Sequence, residues 1–239
     1  MSPRSAATSG AGRRRLAALP VVLAMLALPA GAALAGCDSE RDRPDTVEPT
    51  QAPLPSPGTA ADLSTALLTT AQLPAGYVKT VLRNEPPTRS DRPGCVTALN
   101  ALESFPGTRP GAVEARVTFA RSRSGPFLQQ VLRRLPGTGA QQDLEQAVGA
   151  LSGCAEFSIG WSDGATGTER VVPRGSAGIG GASWHATVTA TTGTFTVQET
   201  LVLVVVEKTL LVISDAGSPT APERSRTLAL ARTAASRIP

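Results

Sequence analysis

Hydrophobic and polar positions divide the 239-residue chain into three stretches of different character. Leu16 to Ala35 is almost wholly apolar, interrupted by Pro20 and Pro29. Residues 38–59, DSERDRPDTVEPTQAPLPSPGT, hold almost nothing to bury. From residue 60 onward apolar positions recur with the periods of packed structure, 3.6 for helices and 2 for strands. That part, about 180 residues, is long enough for one well-buried core. No internal repeat or second linker divides it.

Within it, Leu63, Ala66 and Leu67 predict a short helix ending before Leu73-Pro74-Ala75-Gly76. A second short helix carries Cys95, Ala98, Leu99 and Leu102. VEARVTFA (113–120) alternates, with Val113, Ala115, Val117 and Phe119 on one side and Glu114, Arg116 and Thr118 on the other, the period of a half-buried strand. After Ser124-Gly125-Pro126, the residues Phe127, Leu128, Val131, Leu132 and Leu135 form a stripe at helical spacing, ended by Pro136-Gly137. Another helix is expected from about Ala140, with Leu144, Ala147, Val148 and Leu151 inward and Gly153 as its cap. Strands follow: AEFSIGW and TERVV around a Ser162-Asp163-Gly164 turn, then Ala182 to Val206 and Thr209 to Asp215. TAPERSRTLALARTAASRI predicts a closing helix with Thr220 and Glu223 as capping box and Pro222 in its first turn. Leu228, Ala231, Ala235 and Ile238 would form its inner side. This order indicates an α+β fold: a mainly antiparallel sheet flanked by helices, one domain over 60–239.

Taking Thr192-Gly193 as a two-residue hairpin turn pairs Thr191 with Thr194, Thr189 with Thr196, Thr187 with Gln198 and His185 with Thr200. The other side then pairs Ala190 with Phe195, Val188 with Val197 and Trp184 with Leu201, and Glu199 is its lone polar exception. A slip by one residue would scramble both faces. Further along, LVLVVV is apolar on both sides and so calls for cover on both sides. The sheet is therefore expected to be sandwiched by helices at one end and bare on one face at the other. His185, Thr187, Thr189, Thr196, Gln198 and Thr200 line that bare area. It is either a solvated face, since threonine favours strands, or a polar cleft for a small polar ligand or cell-wall component.

The amino terminus addresses location. Arg4, Arg13, Arg14 and Arg15 precede the apolar run without any acid, the order of a secretory signal. A run of roughly 20 apolar residues also suffices to span a bilayer, but the two prolines and the small-residue ending argue for cleavage. Leu34-Ala35-Gly36-Cys37 resembles the lipobox of bacterial lipoproteins. That resemblance implies cleavage after residue 36 and a thioether-linked diacylglycerol on Cys37, anchoring the chain on the extracytoplasmic face of the membrane. The alternative is an ordinary signal that ends beside a cysteine. Residues 37–59 then form a disordered proline-rich tether, which at about 3.1 Å per residue reaches roughly 70 Å.

Charge removes one class of partner. The chain has 23 basic and 19 acidic residues, but four arginines precede Cys37, so the part after it is formally neutral. Basicity gives no ground for nucleic-acid binding. Arg116, Arg121, Arg123, Arg133 and Arg134 cluster in sequence, as a balanced surface or as a dock for anionic headgroups or wall polymers. The remaining cysteines, Cys95 and Cys154, can pair in one way only, and outside the membrane a disulfide is expected. One histidine and two distant cysteines make a poor metal set, and no cofactor is expected. No G-x-S-x-G elbow is present, and GSAGIGG (175–181) lacks the dinucleotide-binding pattern and reads as a loop. Glu156, Asp163, Glu169 and Glu199 leave a carboxylate pair formally open, but spacing selects none of them. The chain reads as non-catalytic.

LLTTAQLPAGY (67–77), the cysteine-bearing helix at Cys95, and Cys154 followed by strands with TVQETLVLVVVEKTLLVIS complete the pattern begun by the lipobox and tether. Together they resemble actinobacterial lipoproteins whose mature part is similar to the extracellular sensor domain of PknH-type Ser/Thr kinases, over about residues 60–239. The resemblance implies an antiparallel sheet flanked by helices and a cleft for a ligand. It transfers no site residue, and this chain has one internal cysteine pair where that family commonly has two. A carrier of lipids or other amphiphiles, and a protein-interaction module of an envelope complex, are the alternative functions.

Overall fold

The computed structural model describes residues 60–82, 86–103 and 111–239. The signal, Cys37 and the tether lie outside the described residues. Nine strands form a single sheet: β1 (Val78–Thr80), β2 (Arg89–Ser90), β3 (Val113–Ala120), β4 (Phe127–Arg134), β5 (Phe157–Gly160), β6 (Thr166–Gly175), β7 (Ala182–Thr192), β8 (Phe195–Val206) and β9 (Thr209–Gly217). Their order is β1-β3-β4-β9-β8-β7-β6-β5-β2, with every neighbouring pair antiparallel. Four α-helices pack on it: α1 (Ala60–Thr65), α2 (Pro93–Leu102), α3 (Gly139–Ser152) and α4 (Arg224–Ala235).

Strand alternation sends side chains into two cores, one on each face. Leu201, Leu203 and Val205 of β8 pack with Cys95 and Leu99 of α2 and Leu144 and Leu151 of α3. Val202 and Val204, one residue out of phase, pack with Leu63 of α1 and Leu230, Ala231 and Ala234 of α4. The run that is apolar on both sides is therefore covered on both sides, as expected, and each fully buried Leu or Val there stabilises by about 1.5–3 kcal/mol. The expected α+β architecture is the one observed, and the GSAGIGG segment is a loop that drops Ala177 and Ile179 into the α1/α4 core.

Two connections tie the α2/α3 layer down. The Cys95–Cys154 disulfide joins α2 to the residue just past α3, across 5.8 Å between Cα atoms. Arg133 of β4, 3% exposed, pairs with Glu114 of β3 at 3.1 Å and with Asp143 of α3 at 3.6 Å. Its Nη2 also donates to the Ala101 carbonyl of α2 at 2.7 Å. Sequence proximity placed Arg133 in a surface basic cluster; the fold makes it an internal clamp.

Two expectations change. The segment 127–135 is not a helix but the interior strand β4, hydrogen-bonded to β3 and β9. Val131 and Leu135 enter the α2/α3 core while Leu128 and Leu132 enter the opposite one. A strand buried on both faces loses its period-2 signal, and its doubled apolar pairs imitate a helical stripe. The last helix also starts later than its capping box implied. Glu223 is the N-cap, and Thr220 and Pro222 lie in the preceding turn. Its buried side carries Thr227, whose Oγ1 donates to Asp215 Oδ2 of β9 at 2.7 Å. That polar contact sets the helix's rotation, which an apolar stripe cannot report. Gly153 does cap α3, but in the right-handed region at φ −91° rather than as a left-handed cap.

Candidate functional site

The β7–β8 hairpin presents the polar residues singled out above, in a shifted register. Thr192 pairs with Phe195, so Gly193 and Thr194 make the turn. Gly193 takes its first central position at φ +59°, where a turn with positive φ only at that position places glycine and a β-branched threonine would be strained. The observed pairs are Thr191 with Thr196, Thr189 with Gln198, Thr187 with Thr200 and His185 with Val202. Every partner moves by two residues, an even number, so both faces keep their composition.

His185, Thr187, Thr189, Thr196, Gln198 and Thr200 thus share one face, on the side of α4. His185 and Thr200 are buried, and the other four are half-buried. The chain itself engages several of these residues. His185 Nδ1 lies 3.1 Å from the Gly175 carbonyl, and Thr187 Oγ1 accepts from Arg174 Nε at 3.3 Å. Gln198 Nε2 donates to the Pro219 carbonyl at 3.2 Å, and Ser218 Oγ donates to the Thr196 carbonyl at 2.6 Å. The last two contacts fasten the β9–α4 connection over the sheet. Burial holds His185 below the ordinary histidine pKa, against the hydrogen bond to Gly175, and Arg224 and Arg174 add to the depression.

The opposite face opens instead. There α2 and α3 cover the strands at the Leu201–Val205 end, and among the described residues no helix covers the Phe195–Glu199 end. A cavity of about 320 Å³ lies on this uncovered end. Its floor is Phe195, Val197 and Glu199 of β8, Ser214 and Ala216 of β9, and Phe127 and Gln129 of β4. Glu103, the residue after α2, and Leu82, beyond β1, form its other side. A second cavity of about 300 Å³ shares Leu82, Glu103 and Gln129 and continues to Lys79, Arg116 and Thr118 at the β1 edge. None of the six polar-face residues lines either cavity.

Three carboxyls feel one another around this opening. Glu103 is pushed up to about 8, chiefly by desolvation and then by the charges of Glu199 and Glu169. Glu169 of β6 is raised to about 7 by desolvation and by Glu199. Glu199 is raised too, by desolvation against a hydrogen bond from Ser214, with Asp215 adding to the rise. Glu199 stands in the cross-strand row Val188, Glu199, Ala216, Phe127, an apolar row apart from itself. Its sequence signal was its position as the exception on the apolar side of the hairpin. Glu169 had a weaker one, sharing phase with buried Val171, and Glu103 had none, because α2 brings it in from 66 residues before Glu169. Among the described residues no three His, Cys, Asp or Glu side chains converge as a metal ion would require.

No family model matches the chain, and no curated protein sequence does. Solved structures do resemble it. The extracellular domain of PknH from Mycobacterium tuberculosis superposes with a TM-score of 0.57 at 11% identity, covering 76% of this chain and 97% of that domain. A putative uncharacterized protein from Mycobacterium smegmatis, the Rv0999 ortholog, gives a TM-score of 0.42 at 12% identity over 77% of this chain and 98% of that one. The fold implied by the sequence resemblance, that of a PknH-type extracellular domain, is the fold this chain has.

Proposed function

We propose that the chain is a non-catalytic extracytoplasmic lipoprotein, anchored in the membrane through diacylglycerol on Cys37, whose domain binds a ligand of the envelope as a sensor-like module. The observation that carries the ligand-binding part is the open end of the α2/α3 face. There a cavity of about 320 Å³ has mostly apolar walls and a few convergent polar groups, the composition of small-molecule sites. The fold shared with the PknH extracellular domain supports an extracytoplasmic setting. The lipobox resemblance of Leu34-Ala35-Gly36-Cys37 supports the anchor. Native mass spectrometry of the full chain extracted from its own envelope tests both parts at once. The expected result is a chain beginning at Cys37, heavier by a diacylglycerol, with a co-purifying small molecule. An unmodified amino terminus removes the anchor, and a ligand whose protection survives blocking of the cleft moves the site elsewhere.

One observation favours a second reading. Raised carboxyls beside an opening are what general acid–base chemistry uses. Under that reading a bound molecule is turned over and Glu199→Gln stops turnover; under the binding reading the ligand is recovered unchanged.

A further inference from the structure

The cavity at the Glu199 end of the cleft has a wall composition that selects among ligands. Its apolar part includes Leu82, Phe127, Phe195 and Val197, and its acidic part is Glu103 and Glu199. Elsewhere this chain buries carboxylates against cations: Glu114 and Asp143 share Arg133, and Asp215 pairs with Arg226 at 3.1 Å. That is the general requirement for removing a charge from water. Among the described residues neither Glu103 nor Glu199 has a lysine or arginine ion-pair partner. The charged groups on the cleft side that act on or with Glu199 are Glu103 at the end of α2 and Glu169 on β6, while Asp215 acts on it from the α4 side of the sheet, where it is paired with Arg226. Lys79 on β1 and Arg116 on β3 line the adjoining cavity, which Glu103 also borders, and not this one. At the rim, Phe195 is 56% exposed and Val81, beside Leu82, is 83% exposed. Exposed apolar residues at the mouth of a cavity with apolar walls are covered when a molecule with a carbon skeleton enters. The volume, about 320 Å³, is that of an organic molecule rather than a bare ion.

We propose that this cavity takes an organic cation, a small amine- or ammonium-bearing molecule whose charge sits between Glu103 and Glu199 and whose carbon skeleton lies against Phe127, Phe195 and Leu82. This rests on the reading of the cleft as the ligand site. The ligand supplies the positive charge that the described wall residues lack, and an aromatic face at the rim adds a favourable contact for a cation. Because burial and the neighbouring carboxylates push Glu103 up to about 8, and burial raises Glu199 as well, the cation displaces protons as it binds. Affinity therefore rises as the pH goes from 6 to 8.

The test uses the full chain in a non-ionic detergent and matched pairs of probes: phenethylamine with phenethyl alcohol, and hexylamine with hexanol. Calorimetry in two buffers of different ionisation enthalpy reads affinity and protons released. Each amine is expected to bind at least tenfold more tightly than its alcohol, to release protons, and to lose at least tenfold in Glu199→Gln. Thr189→Ala, on the opposite face of the sheet, is expected to bind like the parent. Glu199→Gln keeps shape and removes repulsion, so a folding defect is not the expected cause of its loss, and its unfolding temperature checks this. Equal binding of amine and alcohol, absence of amine binding, or a Glu199→Gln variant that binds amines like the parent overturns the proposal. If a neutral molecule co-purifies and protects through the same cleft, the cation is overturned and the ligand site stands. If protection is lost in Gln198→Ala instead, both fall.

Discussion

Single residues that break the local hydropathy rule carry most of the information about this molecule, and they break it in two ways. Arg133 is a charge inside the fold with its partners at hand, in Glu114, Asp143 and the Ala101 carbonyl. Glu199 is a carboxyl on an apolar row, hydrogen-bonded by Ser214. The first is structural. Arg133→Ala breaks the pair with Asp143, which is 4% exposed, and removing one partner of a buried pair costs about 3–5 kcal/mol. Urea unfolding is expected to show that loss in the midpoint, and a change under 1 kcal/mol would mean that the clamp is dispensable. Glu199 was legible in the sequence as an exception and Arg133 was not. One local strand pattern is enough to expose an out-of-phase residue, whereas the partners of Arg133 come from α2, α3 and β3.

Elements were legible where alternation or an unbroken run rich in β-branched residues marks them, and illegible where a strand dry on both faces has apolar residues at helical spacing. β3, α2 and α3 appear where their periodicity put them. β4 does not, because its neighbours β3 and β9 place it in the sheet interior, with core on either side. The β7–β8 register slipped between expectation and structure because Thr-Gly and Gly-Thr both make plausible turns, and the φ demand at Gly193 decides between them. The faces survived because the slip was even. Between elements, the disulfide is the strongest local tie in the α2/α3 layer, closing a loop with a sequence separation of 59. By loop-closure entropy such a ring is worth about 4 kcal/mol. Replacing both cysteines by serine is expected to lower the unfolding temperature by about 10 °C, as a domain of this size shifts roughly 2–4 °C per kcal/mol. Calorimetry that finds an unchanged transition would show that packing alone holds α2 to α3.

For the whole molecule, the acidic cleft sets a pH dependence. Glu103 and Glu169 titrate in the folded state at about 8 and about 7, and Glu199 is also raised, all above their unfolded values. A carboxyl whose pKa rises on folding contributes stability that is complete below its unfolded pKa and is lost as pH climbs through the folded one. The cleft therefore favours the folded state at pH 5 and weakens it between about pH 5 and 8. His185 works the other way, its depressed pKa removing stability only as pH falls below the ordinary histidine value. Subtracting the two isolates the cleft: the gap in unfolding temperature between Glu199→Gln and the parent is expected to widen from pH 5 to pH 8 in favour of the variant. A constant gap would remove the repulsion. The sequence by itself determined the α+β class, the one possible cysteine pairing after Cys37, and the two unlike faces of the β7–β8 hairpin. Each depends on periodicity or on counting within short stretches. Only the tertiary structure decided which hairpin face is closed by α4 and its connection, and which opens as a cleft. That depends on where α2 and α3 stop covering the sheet, a relation between segments up to a hundred residues apart that no local pattern encodes.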